Sequence, residues 1–189
     1  ALNPASVAWL SGLKIWDALP ADARTEVREM KVAGDAPGAG IEFSAARQGV
    51  PALAWIVDAA ALEQTLEAAL RFAPGVQLQD EPAAAALTVV AEGRGSVERE
   101  RLGVQFERHA YGHSAIAAHL TADRPHGGVA RQWFRAPDVL ALLPFDRPQA
   151  GGSYGLVWSL PEAEAARWMA ASDEAFEAAL DEICGSDAG

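Results

Sequence analysis

The stretch Leu87-Thr88-Val89-Val90-Ala91-Glu92-Gly93-Arg94-Gly95-Ser96-Val97-Glu98-Arg99 changes character twice within one short span. Leu87 to Val90 is an apolar, β-branched run of the kind that fills a buried strand. Gly93 and Gly95 bracket a tight turn, and Ser96 can accept a backbone N–H where a helix begins. Val97 to Leu102 then reads as a charged helical turn. Strand, glycine turn and helix start is the geometry that brings backbone amides up to an anionic ligand. Gly93-x-Gly95-x-x-Glu98 comes close to a dinucleotide fingerprint, but Glu98 replaces the third glycine and no clear βαβ unit surrounds it. An ordinary strand-to-helix turn accounts for the same residues.

Upstream, Pro4 to Leu19 reads as a helix with Val7, Leu10, Leu13 and Ile15-Trp16 on its apolar side. Met30 to Ala33 and Ile41 to Ala45 read as short strands joined by the turn Gly34-Asp35-Ala36-Pro37-Gly38. Asp58 can cap a helix from Ala59 to Phe72, which carries Leu62, Leu66 and Leu70 at i, i+4 and i+8. Downstream, strands are expected at Val104 to Arg108, Tyr111 to Leu120, Val129 to Arg135, Val139 to Leu143 and Tyr154 to Ser159. Pro161 opens a helix that runs to about Ala170, and Ser172 caps a last helix with Phe176, Leu180 and Ile183 turned inward. This is an α+β chain with a mainly antiparallel sheet covered by helices. Such a sheet keeps one face on the helices and leaves the other free to line a cavity.

The 189 residues, half of them hydrophobic, suit a single domain spanning 1–189 with a sizeable core. A formal charge of −11 argues against a nucleic-acid surface, which needs a basic stripe. Runs such as Arg99-Glu100-Arg101 and Glu107-Arg108 interleave both signs and read as solvated faces. One cysteine, Cys184, excludes an internal disulfide and reads as a small apolar filler near a helix end in a reducing, cytoplasmic compartment. No apolar run approaches the ~20 residues of a membrane-spanning helix.

Several segments, taken in order, resemble the middle of a class A flavin-dependent monooxygenase of the ubiquinone-biosynthesis hydroxylase type, the 2-octaprenyl-6-methoxyphenol hydroxylase group. Leu13 to Leu19 resembles the end of that family's early helix. Leu53 to Asp58 resembles its strand before a helix, and Ala73-Pro74-Gly75-Val76 the turn and strand after it. Val90 to Ser96, with Arg99, resembles the segment called the DG motif, with Glu92 where the motif carries Asp. Tyr111 to Ala117, Ala130-x-Gln132-x-Phe134, Leu140 to Pro144 and Ser153 to Trp158 resemble the strands that follow. The family's opening GxGxxG and its late Gly-Asp segment are not in this sequence. Only QLQDEPAAAA stands where the family has about two more strands.

The resemblance implies the central, substrate-side portion of a larger enzyme, without the complete FAD-binding Rossmann part. In it, 87–103 returns toward the FAD domain and 104–189 forms the substrate sheet and its helices. It implies FAD as cofactor, not retained by this portion alone, and NAD(P)H as reductant. The reaction implied is hydroxylation of a (poly)prenylated phenol in ubiquinone biosynthesis, with peripheral inner-membrane or biosynthetic-complex association accompanying so apolar a substrate. Glu92, Gly93, Ser96 and Arg99 are the implied cofactor-contacting residues. Tyr111, Gln132, Phe134, Pro144 and Trp158 are the implied substrate-pocket residues. No side chain stands out as a catalytic acid or base. The alternative is a stand-alone acidic binding domain for an apolar ligand or partner protein. An exposed apolar face favours the larger enzyme, and a closed polar surface favours the module.

Rival chemistry is weaker. Gly151-Gly152-Ser153-Tyr154-Gly155 matches G-x-S-x-G, but that nucleophile motif needs a strand before it and a helix after it, and here the order is reversed. A hairpin turn explains the glycines. His109, His113 and His119 share one strand parity, yet residues four apart on a strand lie roughly 13 Å apart, too far to share a metal. His126 follows Pro125 in a loop and is expected to face solvent. Parity places Gln132 and Phe134 on one face and Trp133 on the other, with Gln132 the polar residue expected to face the cavity.

Overall fold

A computed structural model describes residues 1–36, 38–81 and 83–185. Pro37 of the expected turn, Pro82 in the shortened 80–86 segment and positions 186–189 lie outside the described residues. The chain opens with α1 (Pro4–Gly12), capped by the Asn3 side chain, and α2 (Ile15–Ala18). The single helix expected to Leu19 is broken in two because Lys14 adopts a left-handed φ of 62°, which a helix cannot pass through. β1 (Arg24–Val27), β2 (Glu29–Ala33), β3 (Gly40–Ser44), α3 (Ala45–Gln48), β4 (Ala54–Val57) and α4 (Ala59–Phe72) follow. Asp58 caps α4 by accepting from the Ala61 amide, as its position before an apolar-periodic run predicts. On α4 the burial falls on Ala61, while Leu70 and Phe72 stay exposed.

Between α4 and β5 (His113–Thr121), the described residues form a 3₁₀ turn (Gly93–Gly95) and α5 (Val97–Arg101). The strands expected at Leu87 to Val90 and Val104 to Arg108 do not form, and no strand follows at Val76. Leu87 and Val89 are 78% and 76% exposed. A strand is stable only when a neighbour takes its backbone hydrogen bonds, and no strand lies alongside these segments among the described residues.

β6 (Val129–Arg135), β7 (Asp138–Phe145), β8 (Ser153–Pro161), α6 (Glu162–Met169) and α7 (Asp173–Cys184) complete the chain. β5 and β6 to β8 form where period-two apolar residues predict them. The main sheet has six strands in the order β3-β2-β6-β7-β8-β5, and only the β2–β6 pair is parallel. β1 and β4 pair antiparallel as a second, two-stranded sheet. Gly128 sits at the β2–β6 junction with φ +74°, where its carbonyl accepts from Arg28 and Glu29 and a Cβ would come within 3.2 Å of the Glu26 carbonyl.

α6 and α7 cover one face of the sheet. Leu140, Leu142, Tyr154, Leu156, Trp158, Leu160 and Ile116 form the main core with Ala165, Leu180 and Cys184 of these helices. Ser172 caps α7, and Cys184 is the buried apolar filler that its position predicts. The two-stranded sheet covers part of the opposite face, where Val27 and Ile56 pack on Ala130 and Phe145. Ser153 is fully buried in the β7–β8 hairpin, where its hydroxyl accepts from the Gln149 amide and donates to the Gln149 carbonyl. It is a hairpin brace, not an exposed nucleophile. His126 is also buried, at 6% exposure, contrary to its expected place in solvent. Among the described residues no helix is long and apolar enough to cross a membrane.

Candidate functional site

Strand register fixes which side chains share the uncovered part of the sheet. Gln132 pairs with Ala141, Ala141 with Val157, and Val157 with Ala117, so these four form one row across four strands. Phe134, Val139, Ser159 and Ala115 form the next row by the same pairings. On the far side of the sheet Trp133, Leu140, Trp158 and Ile116 make the matching row under the helices. Apart from Gln132 and Ser159 the two open rows are apolar, and apart from Gln132 and Phe134 their side chains are small, with both Phe134 and Val157 substantially exposed. Such a patch is a floor for a planar apolar group or for another layer of protein. Its one amide is Gln132, which also borders a concavity of about 440 Å³ with Lys31, Ile41, Glu42 and Trp133.

The five residues implied for the substrate pocket divide between the two faces. Gln132 and Phe134 lie together on the open floor, as parity predicts. Tyr111 precedes β5 and is 88% exposed. Pro144 pairs with Tyr154 and is fully buried on the helix side. Trp158 is there too, its ring 5.4 Å from that of Trp168 and 5.8 Å from that of Phe176, with Nε1 donating to Asp138 at 2.7 Å. Pro144 and Trp158 therefore do not reach the floor that holds Gln132 and Phe134.

The four residues implied for cofactor contact come together, but they bond chiefly to one another. Gly93 to Gly95 forms a 3₁₀ turn, and Ser96 caps α5 by accepting from the Arg99 amide at 3.1 Å. Ser96 also donates to the Glu92 carboxylate at 2.8 Å, which in turn accepts from the Glu98 amide. Those two bonds, the Ser96 hydroxyl foremost, hold Glu92 below the usual carboxylate range. Arg99 donates to the carbonyls of Gly93 and Arg94 and stacks over Phe106 at 4.2 Å. The Glu92 carboxylate thus takes two of the donors at the start of α5. The amides of Glu98 and Arg99 both donate within this turn, to Glu92 and to Ser96.

Two further clusters escaped the sequence reading. Asp146, just after β7, accepts from the Thr25 hydroxyl of β1 at 2.9 Å and from the Gly151 amide at 2.8 Å, and its other neighbour is His126 Nε2 at 3.2 Å. The Gly128 amide donates to His126 Nδ1, so that nitrogen is unprotonated and Nε2 carries the hydrogen toward Asp146. Burial works against ionisation of Asp146, but these donors outweigh it and keep the carboxyl below its usual range. Next to it, Arg147 forks onto Asp22 and reaches Asp58, the α4 cap. Both clusters anchor the β7–β8 hairpin to the N-terminal elements. Asp-Arg directly after a strand was the available signal. Among the described residues no group of three or more histidine, cysteine, aspartate or glutamate side chains is placed to hold a metal ion.

No family model matches the chain. Its fold is similar to that of PqsL, a probable FAD-dependent monooxygenase from Pseudomonas aeruginosa, with a TM-score of 0.71 at 16% identity over 94% of this chain and 58% of PqsL. PqsL in complex with 2-aminobenzoylacetate superposes with a TM-score of 0.65 at 17% identity, over 94% of this chain and 57% of that one. The R204Q form of HpxO from Klebsiella pneumoniae, complexed with FAD, gives a TM-score of 0.60 at 18% identity, over 85% of this chain and 47% of HpxO. The chain thus spans roughly half the length of the solved proteins it matches, and at these identities the likeness is one of fold. This chain has an α+β fold similar to the parts it covers of PqsL, a probable FAD-dependent monooxygenase, and of HpxO.

Proposed function

We propose that the chain is the substrate-side portion of an FAD- and NAD(P)H-dependent monooxygenase that hydroxylates a (poly)prenylated phenol in ubiquinone biosynthesis. The observation that carries this reading is the uncovered apolar floor of rows Gln132 to Ala117 and Phe134 to Ala115. A sheet that buries one face under helices and leaves the other apolar and bare is built to receive something on that face. PqsL is a probable FAD-dependent monooxygenase and HpxO binds FAD, and both share this fold. The same bare face argues against the closed stand-alone binding module.

A bound flavin would supply the oxidising chemistry, with NAD(P)H as reductant and O2 as the oxidant and oxygen source, and this chain would supply position and dryness. The small side chains Ala115, Ala117 and Ala141 let a flat ring approach the sheet, and Phe134 gives it an aromatic edge to pack on. Gln132 offers an amide that donates to or accepts from a ring oxygen. The Glu92–Ser96–Arg99 knot is a prebuilt block whose role is to hold its segment in shape, because its amides are already satisfied. A substrate with a prenyl tail fits a floor without walls, since the tail can leave along the sheet surface. That apolar tail also accounts for association with the inner-membrane surface or with partner enzymes.

The test is the visible spectrum of the protein that carries this chain, purified intact. A flavin spectrum that NAD(P)H bleaches faster on addition of a prenylated phenol is the expected result. A colourless folded protein refutes the reading.

A further inference from the structure

We propose that His113 is a positioning residue which, as an imidazolium, ties the start of β5 to the β6–β7 turn and so sets the open end of the floor. Its Nδ1 lies 3.0 Å from the Tyr111 carbonyl oxygen and its Nε2 lies 3.1 Å from the Pro137 carbonyl oxygen. Carbonyl oxygens only accept, so both bonds exist together only when both ring nitrogens carry protons. A neutral ring has a single N–H, and its bare nitrogen then turns a lone pair on a carbonyl oxygen. Deprotonation therefore removes one bond and replaces it with repulsion. The Pro137 bond spans 24 residues and the Tyr111 bond two, so one ring joins a distant turn to the approach of its own strand.

The place of this tie gives it consequence. Pro137 lies between Phe134 at the end of β6 and Val139 at the start of β7, and these two pair as half of one floor row. The row ends at Ala115, two residues from His113 on the same parity. The two carbonyls, Tyr111 first, hold His113 above its usual range, with partial desolvation opposing and the negative charge of Glu162 at the start of α6 assisting. Arg135 and Asp138 of the turn pair with each other in register on the helix side, where Asp138 accepts from Trp158. The register partner of His113 on β8 is the uncharged Pro161. In the preceding segment Arg108 and His109 lie near Glu100 and Glu107.

Calling the row a ligand floor rests on the function proposed above, whereas the tie does not. The test is a pH titration of the histidine rings and backbone amides of the chain by ¹⁵N NMR, with H113Q identifying the His113 signals. The expected result is a His113 midpoint above 6.5, with protons on both ring nitrogens at pH 6.5. The Phe134 and Val139 amides should shift with that same midpoint, and H113Q should abolish the shift. A midpoint at or below 6.5, or turn amides that ignore the titration, overturns the inference, and the wild-type titration decides this even if H113Q folds poorly. Failure of the proposed function shows itself separately, as absence of phenol binding with the titration intact.

Discussion

Asp146 joins three parts of the chain through one carboxylate: Thr25 of β1, His126 before β6, and Gly151 in the hairpin. Asp146→Ala leaves the buried Thr25 hydroxyl and His126 N–H without an acceptor, and we expect a loss of roughly 3 kcal/mol in denaturant unfolding. Because its folded-state pKa is lowered, its contribution is complete above the ordinary value of 3.8 and fades as pH falls through the folded value. The wild-type advantage over Asp146→Asn should therefore shrink only in acid, which an acid-unfolding series measures. Ser96→Ala removes the α5 cap, at a local cost of about 1 kcal/mol, read as faster hydrogen exchange of the Arg99 amide. Ser96, Asp58 and Ser172 were legible as caps because each bonds an amide three residues away. Asp146 was not legible, since its bond to Thr25 crosses 121 residues and no local pattern encodes it.

At the scale of elements, most strands that find a partner were legible, β1 excepted, whereas the strands expected at Leu87 to Val90 and Val104 to Arg108 find none and do not form. β6 to β8 show period-two apolarity, and every one of them finds neighbours on both sides. Leu87 to Val90 has the same local appearance, but strand formation is decided by the neighbour and not by the run itself. Parity separated Gln132 from Trp133 correctly. Applied to β8, it also aligns Trp158 with Leu156 and Leu160, residues that the helices cover. Leu140 lies at the centre of that covered face with no exposure, so Leu140→Ala should cost about 2–5 kcal/mol in urea or thermal unfolding. Trp158→Phe keeps most of the packing but leaves Asp138 without its indole donor. We expect a smaller loss of about 1–2 kcal/mol from that change in the same assay.

On the scale of the whole molecule, a six-stranded sheet is held from both sides but covered unevenly. α6 and α7 cover one face, while β1 and β4 cover only the Phe145 end of the other. The bare remainder is the proposed binding surface, and its exposed side chains should contribute little to stability. Val157→Lys on the floor should therefore leave unfolding within about 0.5 kcal/mol of wild type while abolishing binding of an apolar phenol. The same substitution at Leu156, one residue away and buried, should unfold the chain. The measurement that bears most directly on the central claim is an amide-shift map of the chain titrated with a short-chain prenylated phenol. Saturable shifts confined to Gln132, Phe134, Val139, Ala141 and Val157 are the predicted result. Shifts centred instead on Tyr154, Leu180 and Cys184 by the end of α7, with the floor silent, would contradict it.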